Sequence, residues 1–347
     1  MKCGGFRVSY RADERIFDTA LPIVGLVVLL GALCVVPRFA TTYWLDVLNR
    51  IGIAVIGALG LNILIGYTGQ ISIGHAAFLA VGAYSTAILE ANAGLPFYLA
   101  IPLAALITSG FGLIFGIPSL RLKGLYLAIA TLAAHFITTF VIVHWESTTK
   151  GVLGLMVPPA TVFGLPLDSD ARVFYLIFAL VVPAVLCAKN LFRTKVGRAF
   201  IAIRDRDVAA SVMGVSLLRY KLLAFVISSF YAGVAGGLMA HHSRILFPDS
   251  FTLLVAIDYL AMIIIGGLGS ILGSIFGAVF MTVLPEVLKL TATSLTGVYP
   301  QAFGLIASTR DVVFGLAVIF FLIYEPLGLA RIWVRVRSYW QLWPYSY

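Results

Sequence analysis

Long apolar runs, separated by short polar or charged segments, make up most of this chain. They lie near residues 18–36, 47–66, 71–91, 97–118, 125–144, 172–190, 220–240, 255–267, 270–288 and 304–324. Most of these runs are close in length to the roughly 20 helical residues that cross a bilayer. Within them, apolar residues are continuous and do not alternate with polar ones, as they would in a membrane β-barrel. The pattern predicts an all-α fold, a polytopic transmembrane helix bundle of about ten spans.

Composition supports a membrane protein. The 347 residues are 61% hydrophobic and only 11% charged, and the mean hydropathy is +1.02. Soluble domains carry about 25% charged residues. The net charge of +9 comes from basic residues concentrated in loops, so no nucleic-acid partner is expected. The three cysteines have no metal-site spacing, and no metal site is expected.

Loop charge predicts the orientation. The segment 193–219 is rich in Lys and Arg, as are both termini, so these parts are expected in the cytoplasm. The loop from Trp145 to Ala171 is expected outside. The predicted organisation is a cytoplasmic tail over 1–17, a transmembrane domain over 18–326 and a basic, aromatic interfacial tail over 327–347.

Polar residues and glycines interrupt the apolar segment "GYTGQISIGHAAFLAVGAY", residues 66–84. Polar groups in lipid need partners, so Gln70, Ser72 and His75 should face the bundle interior or a wet path. Tight packing is the alternative, and a pathway or gate is favoured. A similar "GGLGSILGS" begins at Gly266, and glycine-broken pairs of this kind occur in transporters built from repeats.

Other ionisable residues in the apolar runs are interpreted more simply. Glu90 and Glu286 lie near predicted span ends and are expected to be solvated. Asp258 opens a short apolar run and suits an interfacial or helix N-terminal position.

The segment "VGRAFIAIRDRDVAASVMGVSLLRY" is too long for a turn and too charged to cross a membrane. Asp205 or Asp207 can cap a short helix that runs through Met213, and Gly214 suits its end. This helix is predicted to dock on a protein, the alternative being a helix that lies on the membrane surface. The chain has no "GxxxxGK[ST]" motif, so any ATP that drives transport must bind another chain.

Four blocks in order resemble a known family. They are "GLNILIGYTGQISIGHAAFLAVGAY", "FGLPLDSDARVFYL", "TKVGRAFIAIRDRDVAASVMGVSLLRYKLLAFVISSFYAGVAGGL" and "GGLGSILGSIFGAV". Over about residues 45 to 325 the chain resembles branched-chain amino acid ABC transporter permeases, specifically the M-type membrane subunit of the Liv family. The resemblance implies a multi-pass protein of the bacterial inner membrane that carries leucine, isoleucine and valine.

The resemblance also implies partners. These are a second related permease, two cytoplasmic ATP-binding subunits that hold ATP and Mg, and a periplasmic substrate-binding protein. This chain itself would be no enzyme and would bind no cofactor. Its cytoplasmic segment corresponds to the ATPase-docking "EAA" region of ABC importers. Two positions depart from the family: Val208 stands where that motif has Glu, and "TKGVLG" at 149–154 replaces a "TGGxxG" stretch.

The chain contains two groups of candidate functional residues. The predicted substrate path is lined by Asn62, Gln70, Ser72, His75 and Tyr84. The predicted ATPase-coupling residues are Gly197, Arg198, Arg204, Asp205, Asp207, Ala209, Ala210 and Gly214. Urea, short amides or other amino acids remain alternative solutes. A stand-alone secondary transporter or channel is the rival function, and Asp258 would be its ion or proton site.

Overall fold

The computed structural model describes residues 20–118, 121–162, 165–166, 169–295, 312–313, 315–321, 323–325 and 327–342. Helices occupy most of this part, in the order α1 Ala20–Phe39, α2 Thr42–Asn62, α3 His75–Ala93, α4 Phe97–Gly116, α5 Leu125–His144, α6 Glu146–Thr149, α7 Asp170–Leu191, α8 Lys195–Val212, α9 Leu217–Ser243, α10 Leu253–Gly266, α11 Ile271–Leu295 and α12 Gly328–Leu342. A π-helical turn, Ile63–Tyr67, extends α2. Short 3₁₀ turns lie at Gly151–Leu153 and Pro248–Phe251.

Two small ribbons stand beside the helices. Strand β1 (Leu155–Met156) pairs antiparallel with β4 (Ile245–Leu246), with Leu155 opposite Leu246. Strand β2 (Thr161–Val162) pairs antiparallel with β3 (Leu165–Pro166), with Thr161 opposite Pro166. The first ribbon ties the loop after α5 to the end of α9.

Seven described segments are long and apolar enough to cross a membrane. They are Thr42–Tyr67, Phe97–Gly116, Leu125–His144, Asp170–Leu191, Leu217–Ser243, Pro248–Gly266 and Ile271–Leu290. The predicted helical, polytopic class is confirmed, whereas the count of about ten spans and the orientation stay predictions. The predicted tail 1–17 and much of the predicted span 304–324 lie outside the described residues.

Helices α2 and α9 form the centre of the bundle. In the most apolar stretch of α2, 83% of residues are buried, against 28% for α7 at the periphery. Small residues bring α9 against α3, because a side-chain carbon added at Gly82 would lie 2.5 Å from the Cα of Gly233. Such close approach of backbones is typical of helix pairs in membranes. Large apolar side chains such as Leu106, Ile114 and Phe136 are exposed on the outside, where lipid would cover them.

Two acidic residues near helix ends differ from the prediction. Glu90 is 9% exposed, and its carboxylate lies 2.9 Å from Nε2 of His241. Glu286 is 6% exposed, accepts a hydrogen bond from the Tyr43 hydroxyl at 2.6 Å and pairs with Lys289 at 3.1 Å. The expectation that both are solvated was wrong, because neighbouring helices supply polar partners that no local pattern indicates.

Candidate translocation path and coupling segment

The first helix break lies where the polar residues and glycines predicted an interrupted span. Helix α2 widens into the π-helical turn Ile63–Tyr67. The backbone leaves helical geometry at Thr68 and becomes helical again at His75. Gly69 has φ +69, a left-handed conformation that glycine adopts at little cost. The amide of Gln70 bonds back to the carbonyl of Leu64 at 3.1 Å, which closes the turn.

The second break lies between α10 and α11, in the "GGLGS" sequence. Helix α10 ends at Gly266 and α11 begins at Ile271. Gly267 and Gly269 both have positive φ, +120 and +73. The two similar sequence stretches therefore both form helix–break–helix elements.

Asn62 joins the two breaks. Its Nδ2 donates to the carbonyl of Ser270 at 2.9 Å and to Oγ of Ser274 at 2.6 Å. Its Oδ1 accepts from the amide of Gly269 at 2.9 Å. Elements more than 200 residues apart thereby form one hydrogen-bonded unit. Asn62 is 1% exposed, so in this structure it acts as a brace and does not face an open path.

Gln70 lies on a cavity of about 270 Å³ at the end of the bundle that carries α8. Its Nε2 donates to Oγ1 of Thr68 at 3.1 Å and to the carbonyl of Lys221 at 3.3 Å. Its buried Oε1 has no hydrogen-bond partner. An unpartnered buried acceptor is costly, and this oxygen can accept a further hydrogen bond.

The other predicted path residues are buried but do not share that cavity. Ser72 is 1% exposed, and its hydroxyl has no partner. His75 donates from Nε2 to the carbonyl of Gly57 at 3.0 Å, and its ring lies 5.3 Å from that of Tyr259. Tyr84, in the middle of α3, donates to the carbonyl of Leu246 at 3.4 Å. The role of all these residues as path lining stays a prediction.

The predicted docking helix corresponds to the last third of α8. The backbone leaves helical geometry at Arg206 (φ −156, ψ 97), which divides α8 into two parts. Asp207 begins the second part. Gly214 has φ +84, and the amide of Val215 bonds to the carbonyl of Ala210 at 3.0 Å. The prediction that the helix ends at Gly214 is confirmed, because this geometry closes the helix in the way that a left-handed glycine allows.

Arg204 connects this segment to both helix breaks. Its Nη1 donates to the carbonyl of Gly66 at 3.1 Å, and a side-chain carbon added at Gly269 would lie 2.9 Å from the same nitrogen. Its Nε and Nη2 both lie 3.0 Å from Oδ1 of Asp205. A movement of α8 would therefore act directly on the breaks.

Asp207 holds α8 against the bundle through two lysines. Its carboxylate pairs with Nζ of Lys123 at 2.5 Å and lies 3.7 Å from Nζ of Lys221. The hydrogen bond from Lys123 lowers the pKa of Asp207 below its ordinary value, and the positive charges of both lysines add to this. The Lys221 side chain is only 9% exposed, so Asp207 compensates a nearly buried charge.

The second part of α8 exposes an apolar face. Val208, Val212 and Met213 are 68%, 80% and 84% exposed. Ala209 is exposed as well, whereas Ala210 is buried.

The remaining two coupling residues lie in the first part of α8. Gly197 packs on the backbone of Phe192 so closely that a side-chain carbon would collide with it. Arg198 donates to the carbonyl of Arg193 at 3.3 Å. Both contacts are local to the segment. In the described part of the chain no group of His, Cys, Asp and Glu is arranged to hold a metal ion.

Comparisons with known proteins identify the family. The family described as branched-chain amino acid transport system / permease component matches residues 43–322. The chain is 34% identical over 249 residues to the high-affinity branched-chain amino acid transport system permease protein LivM of Salmonella typhimurium, covering 65% of this chain and 59% of the relative. It is 33% identical over 269 residues to the LivM of Escherichia coli, covering 71% and 63%.

A more distant relative carries a different permease name. The probable branched-chain amino acid transport permease protein LivH of Methanocaldococcus jannaschii is 27% identical over 225 residues, which cover 62% of this chain and 70% of the relative. The chain spans about three fifths of the length of the two LivM relatives. It belongs to the family of permease components of branched-chain amino acid transport systems.

Proposed function

We propose that this chain is a transmembrane subunit of an ABC importer that translocates leucine, isoleucine and valine across the bacterial inner membrane. A second related permease would complete the transmembrane part. Two cytoplasmic subunits would bind and hydrolyse ATP with Mg, and a periplasmic protein would deliver the solute. The names of the LivM relatives support the solute class.

The observation that carries this proposal is the position of Arg204. It lies on the segment that exposes an apolar face and it contacts the carbonyl of Gly66 within the first helix break. An ATPase that docks on that face would pull on α8, and Arg204 would transmit the movement to both breaks.

The rival function depends on Asp258. This residue lies in the second turn of α10 and is half-buried. An intramembrane carboxylate is a reasonable proton or ion site for a secondary transporter. Asp258→Asn should then abolish uptake, whereas an ATP-coupled permease should retain most of it.

Uptake of radiolabelled leucine tests the proposal. Cells that lack this chain and cells that regain it are compared, with excess unlabelled urea as competitor and ion gradients clamped. The expected result is chain-dependent uptake that urea leaves unchanged and that stops on ATP depletion. Uptake that survives ATP depletion would overturn the ABC assignment. Absence of leucine uptake with all partners present would direct attention to urea, amides or other amino acids.

The docking face has its own test. Val212→Glu and Met213→Glu place charges on the two most exposed apolar side chains of α8, so the ATPase subunits should no longer copurify with the permease. Leu153→Glu, at an equally exposed position in the loop after α5, is the matched control and should retain the ATPases. Retained copurification in both α8 variants would contradict docking at this face.

A further inference from the structure

A second cavity, of about 460 Å³, lies at the opposite end of the bundle from Gln70, bounded by α2, α9, α10 and α11. We call it the outer pocket. Asp46, Arg50 and His242 form its polar wall, and Ile53, Met239 and Val255 form an apolar wall. Ligand pockets for small molecules have such a composition, apolar surfaces with a few convergent polar groups.

The charged groups of the outer pocket are fixed side by side. Asp46 and Arg50 lie one turn apart on the same face of α2, with Oδ2 and Nη2 at 2.8 Å. Nε2 of His242 lies 3.1 Å from the other carboxylate oxygen of Asp46. Nη1 of Arg50 lies 4.0 Å from Glu286, which Tyr43 and Lys289 hold in place. The two charges are therefore positioned before any ligand arrives.

Both groups can still be reached from the cavity. The Arg50 side chain is 53% exposed and that of Asp46 is 33% exposed. A guanidinium has five N–H donors, so Arg50 can bind a second anion while it contacts Asp46. Charged groups are expensive within membrane-spanning helices and usually have a function there.

We propose that the outer pocket binds the α-amino and α-carboxylate groups of a branched-chain amino acid before it crosses the membrane. The ammonium group donates to Asp46, the carboxylate accepts from Arg50, and the aliphatic side chain packs on Ile53, Met239 and Val255. This inference rests on the proposed function, and the outer pocket is the place where the solute would be recognised. Urea carries no charge with which to compete for the Asp46–Arg50 pair, so the pocket favours a zwitterion.

Tyr259 closes the inner side of the pocket. The Tyr259 ring packs closely against α2 at Gly57. A side-chain carbon added at Gly57 would lie 2.5 Å from this ring. Beyond Tyr259 lies His75, whose ring is 5.3 Å away. The order along α2 is therefore the outer pocket, Tyr259 with His75, and then the first break with the cavity at Gln70. A solute in the outer pocket would meet a closed bundle in this conformation.

Direct binding to the assembled permease–ATPase complex tests the site without the binding protein. Radiolabelled leucine is bound to immobilised complex in a scintillation proximity assay. Unlabelled leucine should compete at least about tenfold better than 3-methylbutylamine, which lacks the carboxylate, or 4-methylpentanoate, which lacks the ammonium group. Equal competition by either half-ligand would overturn the inference.

Charge-swap variants separate a ligand site from a structural ion pair. Asp46→Asn and Arg50→Gln should each reduce leucine binding at least about tenfold. The double variant Asp46→Arg with Arg50→Asp restores an ion pair on α2 but reverses its direction, and it should not restore binding. Recovery of binding in the double variant would show that the pair is merely structural. Copurification of the ATPases reports that each variant is folded.

Glu325 and Arg335 form an ion pair at 3.2 Å outside the pocket. The control is the double variant Glu325→Arg with Arg335→Glu, which should leave leucine binding unchanged. Loss of binding in this control as well would remove the evidence for a local site. If the wild-type complex imports no leucine in the presence of its binding protein, the proposed function fails. If it imports leucine and the pocket variants bind normally, only the outer pocket fails.

Discussion

Asn62 and Gln70 are both buried amides near the first helix break, yet their hydrogen bonding differs. Both polar atoms of the Asn62 amide have partners, two for Nδ2 and one for Oδ1. Gln70 leaves Oε1 without a partner, as Ser72 leaves its hydroxyl. A buried acceptor without a partner costs about 1 to 3 kcal/mol. This cost fits the predicted role of Gln70 and Ser72 in a solute path, whereas both polar atoms of the Asn62 amide are engaged by protein groups in this structure.

Lys150 occupies a conformation that normally selects glycine. It follows the short helix α6 with φ 61 and ψ 10, and it stands where the family's "TGGxxG" stretch has glycine. A residue with a Cβ is strained in this left-handed region. Lys150→Gly should therefore raise the free energy of unfolding by about 0.5 kcal/mol, which is the strain relieved less the entropy cost of glycine. Thermal unfolding of the two proteins in detergent measures this difference in stability.

The matched control is Lys150→Ala, which removes the charge and keeps the Cβ. It should not stabilise the protein. Equal stabilisation by Ala and Gly would mean that the charge, and not the backbone, is the source of the cost.

Close packing of α3 on α9 depends on residues without side chains. A carbon added at Gly82 would lie 2.5 Å from Cα of Gly233, which is backbone and cannot move aside. Gly82→Leu should therefore destabilise the protein by at least about 2 kcal/mol. Gly110→Leu on α4 is the control, because nothing lies within 4 Å of a carbon added there. Similar thermal shifts in the two variants would contradict this account of the helix crossing.

The attachment of α8 to the bundle should depend on pH through Asp207. Its pKa is lowered in the folded protein, so its contribution is complete above the unfolded pKa of about 3.9 and is lost as the pH falls through the lower folded value. The wild-type protein should unfold at a higher temperature than Asp207→Asn. The corresponding difference in the free energy of unfolding should be about 1 kcal/mol. It should be constant from pH 8 to 5 and should shrink below pH 4.

The Lys123→Gln background provides the control for this pair. There the effect of Asp207→Asn on the unfolding temperature should be smaller, since the main partner of the carboxylate is gone. An undiminished effect would assign the stabilisation to another contact.

The whole bundle has a polar cavity at each end and a closed centre. Asp46 and Arg50 line one cavity, Gln70 lines the other, and Tyr259 and His75 pack between them. Arg204 makes a direct contact between α8 and the first break, beside the cavity at Gln70. Alternating access would require the centre to open while one end closes.

Arg204→Ala should uncouple ATP hydrolysis from transport. The ATPases should still associate, because the exposed face of α8 is unchanged, but the amount of leucine imported per ATP hydrolysed should fall about tenfold. Reconstituted proteoliposomes measure both rates. Lys195→Ala removes an exposed cation at the first residue of α8 and should keep the wild-type ratio. An unchanged ratio in Arg204→Ala would refute the transmission role.

Local pattern was enough for much of this molecule. Apolar runs predicted the helices, and the glycines with polar neighbours at 66–84 predicted a broken or tightly packed element, of which the structure has the break. Gly214 predicted where the helix in the predicted docking segment ends. These features depend on residues within a few positions of one another, because helix formation, caps and breaks are local properties of the backbone.

Partners distant in sequence were decided only by the packed bundle. The brace from Asn62 to Ser270 and Ser274, the contact of Arg204 with Gly66 and the burial of Glu90 and Glu286 each join separate helices. No periodicity within one span encodes which other span will lie beside it. The amino-acid order therefore determines where the helices begin, break and end, whereas the pairing of polar groups and the two cavities follow from the way that the helices pack.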